Sequence, residues 1–265
     1  MQLTLISGIF AVVFYLTGLG FQVAKFLANK ETRRLVFGFS SLAVVAHGIS
    51  ALGVIRTANG YQFGIVEIST LIAVSISLLV LVSSLRKPLD NLFLGLFPIA
   101  IITIVVSLTS SSSLPPTSLS TGLASHVLFS ILAYSFLTIA AAQAGLLAYQ
   151  NYQLKHGHAG GIVRKLPALQ DMESFLFELV WIGQLLLSAG IVAGFLFIDD
   201  IFGRDGVIHK TFFSILAWLV FSVLLWGRHQ LGWRGSTAIR WTFSGFALVI
   251  VAYYGTKFAL EYVIS

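Results

Sequence analysis

No cysteine occurs among the 265 residues, which excludes disulfides, thiolate metal sites and iron–sulfur clusters. The same absence excludes covalent haem attachment to this chain through a Cys-x-x-Cys-His motif. Methionine is nearly missing as well, with only Met1 and Met172. Any metal or cofactor iron must then be held by histidine or oxygen ligands. Charge is the third scarcity: 10% of the residues are Asp, Glu, Lys or Arg, against about 25% in a soluble domain. No nucleophile–base–acid set, phosphate-binding glycine loop or dense metal cluster stands out, and the chain reads as a non-enzyme.

What is present is apolar. Hydrophobic residues make up 57% of the chain and the mean hydropathy is +0.92. No hydrophilic stretch is long enough for a separate soluble domain. A membrane-crossing helix needs about 20 mainly apolar residues, and eight segments qualify: 3–24, 35–55, 64–84, 92–110, 126–149, 174–198, 210–227 and 241–262. The expected fold is an all-α polytopic membrane helix bundle. It forms one membrane domain over 1–265, with four spans in 1–110 and four in 111–265. The first segment lacks a basic n-region and an Ala-x-Ala-like site, so it reads as a span rather than a cleaved signal.

The connections alternate in charge. Twelve Lys and Arg fall in one set, and four (Arg56, Arg204, Lys210 and Lys257) in the other. Excess Lys and Arg mark the cytoplasmic side, which puts both termini outside. The net charge of +6 is therefore a membrane-topology signal and not a nucleic-acid one, and lipid is the first partner.

This topology sorts the histidines. His126 and His209 lie at the outer mouths of spans. His47 sits in span two, roughly 18 Å along a core about 30 Å thick. An ionisable residue within a span is a functional candidate by default, though for His47 a helix–helix hydrogen bond to Ser or Thr is the plainer reading. For His209 the plainer reading is an interfacial cap. His156 and His158 fall in the glycine-rich inner loop "NYQLKHGHAGGIVRKLPALQDMESF", where "IVRKLPALQDMESF" suits a short interfacial helix. His229, beside Trp226 and Arg228, reads as a headgroup-level residue.

Neutral imidazole suits zinc, copper and haem iron. Zinc sites draw three or four ligands at tight spacing, and no His pair shares a face of any span. Haem needs one or two axial ligands, which different helices can supply. Its propionates need cations near water, and Arg56, Lys210 and Lys257 are all on the outer side. The carboxylates Glu67 and Glu178 lie near span ends with no acidic chain through the midplane, and Pro98 is the one proline inside a span. Transport is thereby disfavoured.

The second half carries a resemblance. "HVLFSILAYSFLTIAAAQAGLLAY" resembles the helix of cytochrome c assembly proteins (the CcmC/CcsA haem-handling type) that opens with an external haem-ligand histidine, here His126, followed by Tyr134-Ser135. "IGQLLLSAGIVAGFLF" resembles the family's next span. "AWLVFSVLLWGRHQLGWRGSTAIRWTFSGFALVIVAYYGTKF" resembles its last two, with the inner Gly232-Trp233-Arg234-Gly235 turn. The chain is most similar to the YpjD-like branch, of this length and with eight spans.

The resemblance implies an inner-membrane protein that holds non-covalent haem b in the outer half of the bilayer. His126 is the axial ligand carried over from the family; His209 and His47 are candidates from position alone. Arg56, Lys210 and Lys257 are propionate candidates. A haem-accepting or other membrane protein is the implied partner, and a second copy of the chain is another. Three family features are missing. The connection "DDIFGRDGVIHKTFFSI" has no tryptophan, the second external histidine is absent from "GTKFALEYVIS", and Trp226 stands where an intramembrane histidine is expected. A cofactor-free scaffold or accessory subunit is the competing reading, with the small residues of "SAGIVAG" and "SGFALVIVAYYG" serving close helix packing. A small-molecule transporter is the third.

Overall fold

The structure is a computed structural model, and it describes residues 2–28, 31–86, 90–110, 112, 115–157, 160–161, 163–197 and 207–258. Eight helices are long and apolar enough to cross a membrane. In hydrocarbon every backbone polar group must be satisfied within the chain, and helices achieve this segment by segment. The chain divides into two compact units, Met1–Leu119 and Ser120–Ser265.

The first unit holds α1 (Gln2–Ala28), α2 (Arg33–Ile55), α3 (Ile65–Ser84) and α4 (Phe93–Thr109). Each packs on the next, and α4 returns to α1 to close the ring. The core is apolar through Phe93 and Phe97, which stack at 4.7 Å and are fully buried together with Ile104. At the basic end, Asp90 forms a salt bridge with Lys25 and lies 3.6 Å from Arg33. At the other end, β1 (Arg56–Thr57) and β2 (Gly60–Tyr61) make a short antiparallel hairpin. Gly60 takes φ +138°, a conformation open to glycine, and Tyr61 bridges to Thr117. Glu67, in the first turn of α3, accepts a hydrogen bond from the Ser112 backbone N–H at 3.0 Å. A carboxylate at a helix N-terminus is favoured by the exposed amide dipoles.

The second unit holds α5 (Thr121–Lys155), α6 (Leu169–Phe197), α7 (Val207–Gln230) and α8 (Gly235–Ile250). A π-helical turn, Val251–Gly255, leads from α8 into a last helical turn, α9 (Thr256–Phe258). Glycines let α5 and α6 approach closely in antiparallel register: Gly183 faces Leu137, Gly190 faces Ser130 and Gly194 faces His126. Polar groups pin α6 to α7. Gln184 Nε2 donates to the Trp218 carbonyl and the Ser222 hydroxyl, and Trp218 Nε1 donates to Ser188 Oγ at 2.7 Å.

The helices run past the apolar segments that announce them, most clearly in α5 and α6, because capped polar turns continue the helix beyond the hydrocarbon. The expected interfacial helix in "IVRKLPALQDMESF" takes a different form. Val163–Lys165 make one 3₁₀ turn and α6 starts at Leu169, because Pro167 cannot continue a helix from the preceding turn.

Packing of α7 on α8 gives a first prediction. A methyl on Gly245 would stand 2.6 Å from Cζ of Phe221, a fully buried ring. Gly245→Ala should cost roughly 1–3 kcal/mol through overpacking, visible as a lower thermal unfolding midpoint in detergent.

Candidate functional site

The site grows from a helix start. The Ser120 side chain caps α5 by accepting from the Leu123 N–H at 3.2 Å, which fixes His126 in the second turn. Across from it, α6 presents glycine. The imidazole lies against the bare α-carbon of Gly194, where a Cβ would press on Nδ1 and Cε1 at 3.2 Å. His126 Nδ1 donates to the Gly190 carbonyl at 2.8 Å. A carbonyl oxygen only accepts, so Nδ1 carries the hydrogen and the neutral ring offers its lone pair at Nε2. No hydrogen-bond partner meets Nε2 among the described residues. A backbone carbonyl on the far nitrogen is the usual device for orienting a metal-binding histidine.

Around the ring is a cavity of about 170 Å³, lined from α5 by His126, Ser130 and Tyr134, from α6 by Leu187, Gly190, Ile191, Gly194 and Phe195, and from α7 by Lys210, Thr211 and Ser214. Its walls are mostly apolar, with one cation. Lys210 is half-buried, and its ammonium lies 5.5 Å from the ring centre of Tyr253 in the π-helical turn. Tyr253 in turn meets Tyr134 edge-on, with centroids 5.5 Å apart. Lys257, one turn further on, is close enough for its charge to act on Lys210.

The sequence candidates separate. His126 and Lys210 come together in the cavity, with Lys257 nearby. His209 is exposed in the first turn of α7 and does not line the cavity, since one residue of helix turns it away from Lys210. His47 and Arg56 belong to the first unit. Arg56 is exposed at the start of the hairpin. His47 is fully buried, with Nδ1 3.2 Å from Tyr15 Oη and Nε2 2.9 Å from Thr70 Oγ1, so neither ring nitrogen is free. Most of the tryptophan-free connection, 198–206, lies outside the described residues.

Four site residues were not singled out from sequence for this role: Gly190, Gly194, Lys210's neighbour Tyr253, and Tyr134 as a wall. The signal for the glycines was the "SAGIVAG" spacing, which reads as helix packing until the histidine is placed opposite.

A polytopic membrane bundle with a histidine-headed apolar cavity at one end is a design for holding a ligand by one imidazole within the bilayer. Residues 35–264 match the Cytochrome C assembly protein family, and the chain belongs to it. It is similar to "Inner membrane protein YpjD" of Escherichia coli (strain K12), 26% identical over 260 residues that cover 95% of this chain and 97% of that one. "Protein HemX" of Brevibacillus brevis is 22% identical over 50% of this chain and 49% of its own. "Cytochrome c biogenesis protein CcsA" of Gloeobacter violaceus is 26% identical over 39% of this chain and 31% of its own. No solved structure matches the chain significantly. The protein is a multi-pass inner-membrane protein.

Proposed function

We propose that this protein binds haem b non-covalently in the outer half of the bilayer and passes it to a partner membrane protein. The observation that carries the reading is the His126 tautomer: the Gly190 carbonyl takes Nδ1–H and leaves Nε2 to face an iron. The remaining residues fit the same ligand. Leu187, Ile191 and Phe195 suit a porphyrin face, while Lys210, with Lys257 close by, suits the propionates. The uneven distribution of Lys and Arg puts this end of the second unit outside.

Pockets that enclose a whole small molecule measure about 300–1,000 Å³. The present cavity, at about 170 Å³, suits the part of a macrocycle around the metal, the rest lying beyond the Phe195 rim. That arrangement favours transient holding over permanent burial. Bound iron would supply an axial coordination position; the chain's own residues orient His126, exclude water with aliphatic walls and counter the ligand's negative charge.

The test is an absorption spectrum of detergent-purified protein made with haem supplied, wild type beside His126→Ala. A Soret band in the wild type that is lost or shifted in the variant is the expected result. A folded, haem-free wild type would overturn the reading in favour of a cofactor-free scaffold.

A further inference from the structure

The first unit holds polar groups that haem binding does not use. Two hydrogen bonds set the antiparallel register of α2 and α3: Arg33 Nη2 to the Ser84 carbonyl at 3.0 Å, and His47 Nε2 with Thr70 Oγ1 at 2.9 Å. Ser40 and Ser77 each lie two helical turns in from the first pair, so the same register sets them level. By the same counting, Ser50 stands level with Glu67. Polar side chains thus recur every two turns on the facing sides of both helices. They form a seam inside the bundle, with Ser40, His47 and Ser77 fully buried and Thr70 and Glu67 at 1% exposure.

Helix α1 fills the intervals. Tyr15, fully buried, touches His47 through Oη and also approaches the Ser77 hydroxyl. Gly18 lays its bare α-carbon against Ser40, where an added methyl would stand 3.5 Å from Oγ. Gln22 donates from Nε2 to the Asp90 carbonyl at 2.8 Å. The seam therefore runs from Asp90 at the basic end, through the bundle, to Glu67 at the hairpin end.

Its chemistry lies in the atoms left over. Gln22 Oε1, Ser40 Oγ, Ser77 Oγ, Asp90 Oδ1 and Glu67 Oε2 are buried with no hydrogen-bond partner, and all five sit on this seam. Buried polar groups in native proteins are paired to protein or to ordered water. A serine in a helix has its own carbonyl four residues back to bond, as Ser41 and Ser75 do with Phe37 and Leu71. Ser40 and Ser77 forgo it, as hydroxyls that bond water do.

We propose that this seam is a hydrated proton path joining Asp90 to Glu67 through Tyr15 and His47. Each step balances: the imidazole takes a proton on one nitrogen and releases the one on the other, and each hydroxyl or water accepts one proton as it donates another. One proton enters and one leaves, with no oxidant or reductant required. The charged groups that face the path are Lys25 and Arg33, both at Asp90; Glu67 faces the Ser112 N–H. Helix α4 contributes the Phe97 ring against Tyr15 and no titratable side chain. Intramembrane chains of this kind are where proton relays are found.

The test uses the full chain in phosphatidylethanolamine–phosphatidylglycerol vesicles, with an entrapped pH-sensitive dye and a potassium diffusion potential set by valinomycin. Wild type should carry protons at least fivefold faster than protein-free vesicles. The double variant S40A/S77A removes hydroxyls that have no protein hydrogen-bond partner, so it should fold with an unchanged unfolding midpoint and lose most of that flux. Glu67→Gln should lose it too, while His126→Ala keeps it, which separates the path from the haem site. Wild-type flux at the protein-free level, or undiminished flux in S40A/S77A, would overturn the proposal and leave the seam a device that sets the α2–α3 register.

Discussion

Gly194→Val should weaken haem binding by about 10- to 100-fold while the bundle stays folded. The position faces His126, and even a Cβ there would stand 3.2 Å from the ring, tighter than ordinary contact. The two methyls of valine must displace the imidazole, and the hydrogen bond it stands to lose is Nδ1–H to the Gly190 carbonyl. Loss of such an orienting partner typically costs a metal site that factor. Haem titration of the purified variant, followed at the Soret band, measures it. Gly194→Ala is the graded control and should fall between the two. Equal affinity in all three proteins would mean that the imidazole is not held against α6 when haem binds.

Glu173→Gln should remove roughly 3 kcal/mol of stability and leave the haem cavity's own residues untouched. Glu173 is buried in the first turns of α6 and gathers the whole inner turn. Its Oε1 accepts from Arg228 Nη1 at 2.8 Å and from Arg234 Nε at 2.9 Å, and Oε2 accepts from the Gly235 N–H at 3.3 Å. Arg228 also donates to the Trp233 carbonyl and lies 4.6 Å from the centre of the Phe177 ring. The amide keeps the shape but loses the charge, so two guanidinium groups lose their counter-ion. Arg234 is about half exposed and solvent screens its share; the less exposed Arg228 carries most of the cost. Thermal unfolding in detergent reads the loss, and Arg234→Gln should cost far less.

The spans were legible because the hydrocarbon sets their length and leaves no other regular structure for a single chain segment. Their ends were not, since capping by Ser120 or a break at Pro167 is a local matter that hydropathy does not register. For the site, His126 could be named from sequence and so could Lys210, but the faces could not. His209 and Lys210 are neighbours in the chain and point in different directions, so only the latter lines the cavity. The same limit hid the polar seam. A search for carboxylates along single spans found two isolated ones, whereas the path is assembled from Tyr15, His47 and serines on three helices. Register between helices, which is not written in any one of them, decides who meets whom.

The π-helical turn at Val251–Gly255 sets the rotational phase of α9. Such a turn holds one residue more than the α-helix allows, the geometry of a single-residue insertion. One residue of helix is about 100° of rotation. Deleting Tyr254 alone would let the helix close in ordinary α geometry, and Lys257 would swing by about that angle, away from the side it shares with Lys210. The charge beside the cavity thus depends on a count of residues rather than on their kind, and a chain one residue shorter would keep every cation and still lose the pair.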